Sequence, residues 1–342
     1  MTKTIYPWQA GAWEQLQALR PRMPHAVLFY GAAGTGKADF IEAFAQALLC
    51  ENVQSDGHAC GACASCGWFS QNNHPDYRRV RPEALEDEPI SEGEEGESDK
   101  KAKATKTPSK EIKIEQIRAL ADFMNISTHR QGLRVVVLYP AEALNTPASN
   151  ALLKTLEEPP PGTVFLLSSN SLDRLLPTIL SRCRKFALPM PDSASAMAWL
   201  KEQGLADAEA WLREQGGAPL AALAASETAN REEMDALLQL LANPNIDNAL
   251  KNADKLSKLP LALLVAWQQR WLYDVFSYKL SGSIRYFPRY RKEVATLAER
   301  VQTAKLMQAI KSTNERRAVA DHPLSPKLFV EDMLLDYTAC CT

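Results

Sequence analysis

The 342-residue chain has no excess of charge of either sign, because 39 Lys and Arg residues oppose 41 Asp and Glu residues and leave a formal net charge of −2. Proteins that bind nucleic acid through a broadly basic surface usually carry a clear positive excess. The balance therefore argues against tight, independent nucleic-acid binding of this kind. Local basic patches remain compatible with it.

Long apolar runs are absent as well. No stretch approaches the roughly 20 apolar residues of a transmembrane helix, and residues 1–8 lack the apolar region of a secretory signal. These absences predict a cytoplasmic protein. A composition of 46% hydrophobic and 23% charged residues is typical of globular proteins, and the length indicates two or three domains.

Cysteine is scarce, and four of the seven residues fall close together, at Cys50, Cys60, Cys63 and Cys66. In a reducing compartment such clustering favours metal binding over disulfides. Four thiolates leave no open position on a tetrahedral ion, so the cluster predicts a structural Zn²⁺ site. An iron–sulfur cluster is the alternative, disfavoured because Gly67 follows Cys66 where a Cys-Pro ending would be expected. The flanking His58 and His74 are interpreted as loop residues.

Short apolar runs alternate with helical patterns in the first half of the chain. The pattern predicts strands at 26–30, 77–81, 135–139 and 164–168, and helices at 39–49, 114–126 and 148–156. Such alternation predicts a parallel sheet with helices on both faces. After residue 191 only helical patterns continue, with breaks at Gly216-Gly217, Asn243–Asn245 and Gly282.

Two further segments leave more than one interpretation open. Residues 83–113 form a charge-segregated tract, acidic first and lysine-rich afterwards, which predicts a disordered, solvated insertion; contact with a partner or DNA is the alternative. Between Leu261 and Leu280, apolar residues recur three or four positions apart at Leu264, Trp267, Trp271, Val275 and Tyr278. This stripe is the core side of a helix or a subunit contact.

The segment from Gly31 to Ala38 has the spacing of a phosphate-binding loop between a strand and a helix. Glycines let backbone N–H groups curl around phosphates, and a lysine reaches the outer phosphates. The predicted nucleotide-contacting residues are Gly31, Gly34, Thr35, Gly36 and Lys37. Ala38 stands where the motif needs Ser or Thr to hold magnesium, so the metal would be held poorly.

Catalytic acids are missing where an ATPase with such a loop needs them. A later strand of these enzymes ends in a magnesium-binding Asp followed by an acid that polarises water, but here Tyr139 and Pro140 stand at those places. Glu142 is the nearest acid and is displaced along the chain. It is a poor candidate for a catalytic base.

The motif from Asn150 to Pro160, Asn-Ala-Leu-Leu-Lys-Thr-Leu-Glu-Glu-Pro-Pro, is long and specific. Together with Ser181-Arg182-Cys183, the four-cysteine insert, His74–Tyr77 and Tyr6-Pro7-Trp8, it closely resembles the bacterial clamp-loader subunits of DNA polymerase III. These motifs cover roughly the first 190 residues.

The resemblance implies an α/β P-loop module of the AAA+ type at 1–188, carrying the zinc insert at 50–66, a three-helix lid at 189–243 and an all-helical collar at 244–342. It implies a hetero-oligomeric ring with the delta and gamma or tau subunits, which loads the beta sliding clamp onto primed DNA within the DNA polymerase III holoenzyme. Arg182 would reach ATP held by the neighbouring subunit, as an arginine finger acting in trans. The four cysteines would be the zinc module of the family.

Departures from the motor subunits of this family indicate a stator without ATPase activity of its own. Ala38, Tyr139-Pro140 and Gly216–Leu220 lack the magnesium ligand, the acids and the sensor arginine that motor subunits carry there. Binding of ATP or ADP without hydrolysis stays compatible with the glycines and Lys37. An ATP-hydrolysing motor subunit and a stand-alone, zinc-containing nucleic-acid-binding protein are the competing interpretations.

Overall fold

A computed structural model describes residues 5–86, 108–126, 128–129, 132–228, 231–320 and 325–341. The chain divides into two compact units, Met1–Pro191 and Asp192–Thr342. The first unit contains a parallel sheet with helices, and the second is built from helices in its described part.

Five parallel strands form the sheet of the first unit. They are β1 Ala26–Tyr30, β2 Tyr77–Val80, β3 Arg134–Leu138, β4 Thr163–Ser169 and β5 Arg184–Ala187, in the spatial order β2-β3-β4-β1-β5. The four predicted strands are confirmed to within one residue at each end. The fifth, β5, was missed because it is a short edge strand with only Phe186 buried, so its sequence has no apolar run.

Both faces of this sheet are covered, as the alternation of strands and helices predicts. The helices are α1 Ala10–Leu19, α2 Lys37–Leu49, α3 Ala64–Ser70, α4 Ile114–Asn125, α5 Thr146–Glu157 and α6 Pro177–Arg182. Successive side chains of a strand point to opposite faces. Val27 and Phe29 of β1 therefore pack into the apolar cluster on the α2 face, whereas Ala26 and Leu28 pack into the cluster that includes residues of α4 and α5.

Helices account for the regular structure of the second unit in its described part. They are α7 Ser193–Glu202, α8 Ala208–Glu214, α9 Pro219–Glu227, α10 Arg231–Ala242, α11 Ile246–Leu256, α12 Leu261–Ser281, α13 Arg291–Arg300, α14 Thr303–Val319 and α15 Pro326–Cys341. A small apolar cluster joins α7, α8 and α9, and a larger one begins at α10. The division into a lid at 189–243 and a collar at 244–342 stays a prediction.

The apolar stripe of α12 belongs to the interior of the second unit. Leu264, Trp267, Trp271 and Val275 are buried in the larger cluster, and Tyr278 packs against its edge. The Trp271 Nε1 atom donates to the Tyr337 hydroxyl at 2.8 Å, so the indole finds its polar partner inside the core. Of the two interpretations of the stripe, the core side of a helix is confirmed.

The charged tract at 83–113 is ordered at both of its described ends. Lys113 Nζ donates to Glu83 Oε1 at 2.8 Å, and the Ser109 amide donates to Glu83 Oε2 at 3.1 Å. Ile112 is fully buried and pairs with Leu144 in an isolated β-bridge. The expectation of a disordered insertion is therefore wrong for 83–86 and 108–113, because Ile112 has apolar surface to bury; the remaining residues, 87–107, lie outside the described part.

No helix in the described part of the chain is both long enough and apolar enough to cross a membrane.

Candidate functional site

The predicted phosphate loop lies between β1 and α2, as the strand and helix patterns require. Gly34 and Gly36 have φ angles of 74° and 82°, a left-handed conformation that L side chains rarely adopt. At Gly36 a Cβ atom would also lie 2.3 Å from the Tyr6 ring, and at Gly31 it would lie 2.2 Å from the Leu188 carbonyl oxygen. The first turn of α2 begins at Lys37 and directs its free N–H groups toward the loop.

Lys37 is 5% exposed, and its amino group bonds to the loop itself. Nζ donates to the Ala32 carbonyl at 2.6 Å, and the Thr35 hydroxyl donates to the same oxygen at 3.0 Å. Burial lowers the pKa of Lys37 to about 8, against an opposing attraction from Glu142. The loop thus places the five predicted residues together, with the two polar side chains bonded to its own backbone.

A segment at the start of the chain closes over the loop. Trp8 Nε1 and Gln9 Nε2 both donate to the Thr35 carbonyl at 3.0 Å, and Gln9 Nε2 is also 3.0 Å from the Gly36 carbonyl. The Tyr6 ring stacks on Trp8 with centroids 4.9 Å apart, and its hydroxyl donates to Asp39 at 2.9 Å. Sequence reasoning missed these contacts, since nothing in a Tyr-Pro-Trp sequence shows which loop it will meet.

Tyr139, directly after β3, bonds to Glu42 of α2 at the place where an ATPase would carry catalytic acids. The Tyr139 hydroxyl donates to Glu42 of α2, and Arg79 lies 3.6 Å from the same carboxylate. Burial, reinforced by Glu42, raises the pKa of Tyr139, so the phenol keeps its proton at neutral pH. The position where a magnesium-binding Asp would stand is therefore filled by a neutral phenol bonded to the protein.

One carboxylate oxygen of Glu142 is bonded to the residue that follows β4. Its Oε1 atom accepts from the Asn170 amide at 3.0 Å and from Asn170 Nδ2 at 2.9 Å. Asn170 comes immediately after β4, so two strand ends meet at this point beside the loop. No sequence motif pointed to this glutamate–asparagine pair.

The four clustered cysteines come together as predicted. The Sγ atoms of Cys50, Cys60, Cys63 and Cys66 all lie within 4.8 Å of one another. Cys50 Sγ is 3.5 Å from Cys60 Sγ and 3.9 Å from Cys63 Sγ. A Zn–S distance of about 2.3 Å gives S–S separations of about 3.8 Å in a regular tetrahedron, so these spacings fit Zn²⁺.

Backbone N–H groups turn toward the sulfur atoms of this cluster. The amides of Cys60, Cys63 and Cys66 donate to the thiols of Cys50, Cys60 and Cys63 at 3.3, 3.4 and 3.4 Å respectively. Amides of Ala62 and Cys63 lower the pKa of Cys60 to about 6, whereas burial raises the pKa of Cys50 and of Cys66, so the thiolate is favoured at Cys60 alone of these three. Four thiols this close together could hold a metal ion such as Zn²⁺.

The two neighbouring histidines lie outside the sulfur cluster, as expected for loop residues. His58 stacks on Trp13 with ring centroids 4.3 Å apart. His74 Nδ1 accepts from the Asp76 amide at 3.0 Å, and its Nε2 lies 2.9 Å from the Ser65 hydroxyl, which donates to the Leu49 carbonyl. Ser65 of α3 thus contacts both His74 and the end of α2, and His74 is not one of the clustered sulfur-bearing residues.

Arg182 ends α6 at the surface of the first unit, with 32% of its side chain exposed. It forms an ion pair with Glu157, the last residue of α5, and its Nη1 donates to the Thr178 carbonyl at 2.9 Å. Glu157 of the motif at Asn150–Pro160 and Arg182 of the motif at Ser181–Cys183 are 25 positions apart in the sequence, and this contact joins them.

The comparisons with known proteins find subunits of DNA polymerase III. The family described as DNA polymerase III, delta subunit, matches residues 9–192. A DNA polymerase III subunit delta prime from Pseudomonas aeruginosa is 36% identical over 285 residues, which cover 81% of this chain and 79% of the relative. The chain belongs to the DNA polymerase III delta prime family.

Two more delta prime subunits support this assignment. The Yersinia pestis protein is 34% identical over 290 residues, covering 77% of each chain, and the Escherichia coli K12 protein is 34% identical over 243 residues, covering 69% of this chain and 65% of the relative. The resemblance deduced from the motifs is confirmed. The family match at residues 9–192 ends at the boundary between the α/β unit and the helical unit.

Proposed function

We propose that this member of the delta prime family is a non-hydrolysing stator of the DNA polymerase III clamp loader. It would assemble with delta and gamma or tau subunits through an all-helical collar, and its AAA+ module would supply Arg182 to the ATP site of a neighbouring motor subunit. The assembled ring would load the beta clamp onto primed DNA. The relatives are named as subunits of the polymerase, and this supports a role within an assembly.

The observation that carries the stator role is the pairing of Tyr139 with Glu42 where an ATPase needs acids. Ala38 offers no hydroxyl for magnesium, and Glu142 is bonded to Asn170. A phosphoryl transfer needs its metal and its water-orienting group in place together. These contacts support a loop that keeps its shape without hydrolysing ATP, whether or not a nucleotide binds beside Lys37.

The arginine-finger role is supported by the placement of Arg182. Its guanidinium is at the surface and is held by one partly exposed carboxylate, Glu157, with 48% of that side chain exposed. Exposed ion pairs of this type contribute only about 0–1 kcal/mol, so a phosphate with more charge can replace the carboxylate. Glu157 would orient Arg182 before the neighbouring subunit arrives.

The zinc role follows from the four thiolates of Cys50, Cys60, Cys63 and Cys66. Bound Zn²⁺ would supply structural cross-linking and no chemistry of hydrolysis, because four protein ligands leave no open position. The cysteines link the end of α2 to the start of α3, where the Ser65 hydroxyl also donates to the Leu49 carbonyl.

The test is single-turnover ATP hydrolysis by the reconstituted complex of this chain with delta and motor subunits. Arg182→Ala is expected to slow hydrolysis at the adjacent site by roughly 10³-fold, the scale of a lost arginine finger. Arg174→Ala, at another exposed arginine of the same unit, is the matched control and should leave the rate unchanged. An unchanged rate with Arg182→Ala would remove the finger from the proposal. ATP hydrolysis by the purified chain, abolished by Lys37→Ala, would indicate a motor subunit instead.

A further inference from the structure

The helical unit contains a cavity that the proposed function does not use. It lies between α12 and α14, beside Tyr286 of the loop that follows α12, and has a volume of about 400 Å³. Its polar lining includes Gln269, Arg270, Tyr273, Tyr286, Asn314 and Arg317. The described lining thus holds two guanidinium groups and no carboxylate.

Arg270 is the more deeply placed of the two arginines. Its Nη2 donates to Gln215 Oε1 at 2.9 Å, whereas its Nη1 is buried and has no hydrogen-bond acceptor among the residues that the structure describes. Burial lowers the pKa of Arg270, which reflects the cost of holding this charge away from water. A buried cation without a matching anion is an unfavourable arrangement that a bound anion would relieve.

Neighbouring acids do not supply that anion. Glu214 is the carboxylate that attracts Arg270, but its Oε1 already lies 3.0 Å from Arg231 and 3.6 Å from Arg289. Within the described ranges, no Asp or Glu lies within ion-pair distance of Arg270. Arg270 therefore has no ion-pair partner among the described residues, although Tyr286 and the Glu214 carboxylate attract its charge from a greater distance.

Arg317 adds a second positive charge to the same cavity. It is exposed, its Nη1 makes only a long contact of 3.4 Å with Gln269 Oε1, and its charge lowers the pKa of Arg270 further. Two like charges therefore lie beside one cavity. Turning either side chain to solvent would break the contacts described above. Guanidinium groups bind carboxylate and phosphate oxygens through paired N–H donors.

We propose that this cavity is an oxyanion site, in which Arg270 and Arg317 together hold a carboxylate or a phosphate group. A volume of this size accepts more than a bare ion, and tyrosine rings flank it, so the oxyanion would be carried on a small organic body. The site belongs to the helical unit alone and does not depend on the clamp-loader role.

The test is isothermal titration calorimetry of the full chain, with inorganic phosphate in one arm and glutarate in the other. One of the two is expected to bind at a stoichiometry of one, with an affinity that falls as salt is added. Arg317→Gln should weaken binding by about tenfold or more, because one of two charge-assisted contacts is lost. Arg291→Gln, at an exposed arginine of α13 outside the cavity, should bind as the unchanged chain does.

Two further variants keep the result unambiguous. Arg270→Gln should abolish the binding at the cavity while circular dichroism shows an intact helical unit; if it fails to fold, Arg317→Gln decides. Phosphate could also bind at the phosphate loop, so Lys37→Ala is titrated in parallel and should retain the cavity binding. Tighter binding of glutarate would indicate a carboxylate ligand, and tighter binding of phosphate a phosphorylated one. Absence of binding in both arms, or binding lost with Lys37→Ala but kept with Arg317→Gln, would overturn the proposal.

Discussion

The phosphate loop and the cysteine cluster lie in the same unit and flank the same helix, α2. They differ in whether their polar side chains bond to other protein groups or converge on one point. Around the loop, protein groups already occupy the polar positions, with Lys37 bonded to Ala32 and Tyr139 bonded to Glu42. At the cysteines, four sulfur atoms converge with spacings that suit an ion. The comparison shows that the loop keeps the glycine conformations of its motif although Ala38 and Tyr139 stand where the motif has a hydroxyl and an acid.

The largest expected effect comes from breaking the cysteine side of this comparison. Cys63→Ser should lose about one zinc per chain and unfold the segment around α3, because structural zinc contributes on the order of 10 kcal/mol to folding a small module. Zinc content and thermal unfolding are the measurements. Cys183→Ala is the matched control, since Cys183 is buried in a different cluster and should leave the metal content unchanged. Zinc retained by Cys63→Ser would contradict the ligand assignment.

A smaller effect is expected on the loop side. Gly36→Ala should destabilise the first unit by about 1–3 kcal/mol, since its φ is left-handed and a Cβ would meet the Tyr6 ring. Gly11→Ala is the control: it lies in α1 with open space around it, and should be neutral or stabilising by up to about 1 kcal/mol. Urea denaturation of both variants compares them. Equal stability of the two variants would show that the segment closing the loop is not held as described.

The smallest change in stability should follow Glu157→Gln, which removes the carboxylate beside Arg182. Because the pair is partly exposed, the free energy of unfolding should change by less than about 1 kcal/mol. The rate of ATP hydrolysis by the reconstituted complex should fall by more than the roughly fivefold factor that 1 kcal/mol represents, because Arg182 would lose its orientation. Glu158→Gln, at the next position, serves as the control. An effect of equal size from both variants would argue against an orienting role for Glu157.

The sequence was sufficient for the parts of the fold that have a strong local pattern. Buried parallel strands such as β1 and β3 are continuous apolar runs, so their positions were predicted to within one residue. β5 was missed because only Phe186 of its four residues is buried, whereas the other edge strand, β2, buries Tyr77 and Val80. The order β2-β3-β4-β1-β5 was not predicted, because strand order depends on contacts between distant segments that no local pattern encodes.

By itself, the sequence determined the family, the glycine spacing of the loop and the identity of the four clustered thiols, because each depends on residue types at short spacings. Only the tertiary structure decided what occupies those places. It brought Tyr139 to Glu42, Glu142 to Asn170, Glu157 to Arg182 and the closing segment at Tyr6–Gln9 to the loop. It also placed Arg270 and Arg317 beside one cavity. Their partners lie far apart along the chain, and a side chain acquires its partner only when the backbone has folded around it.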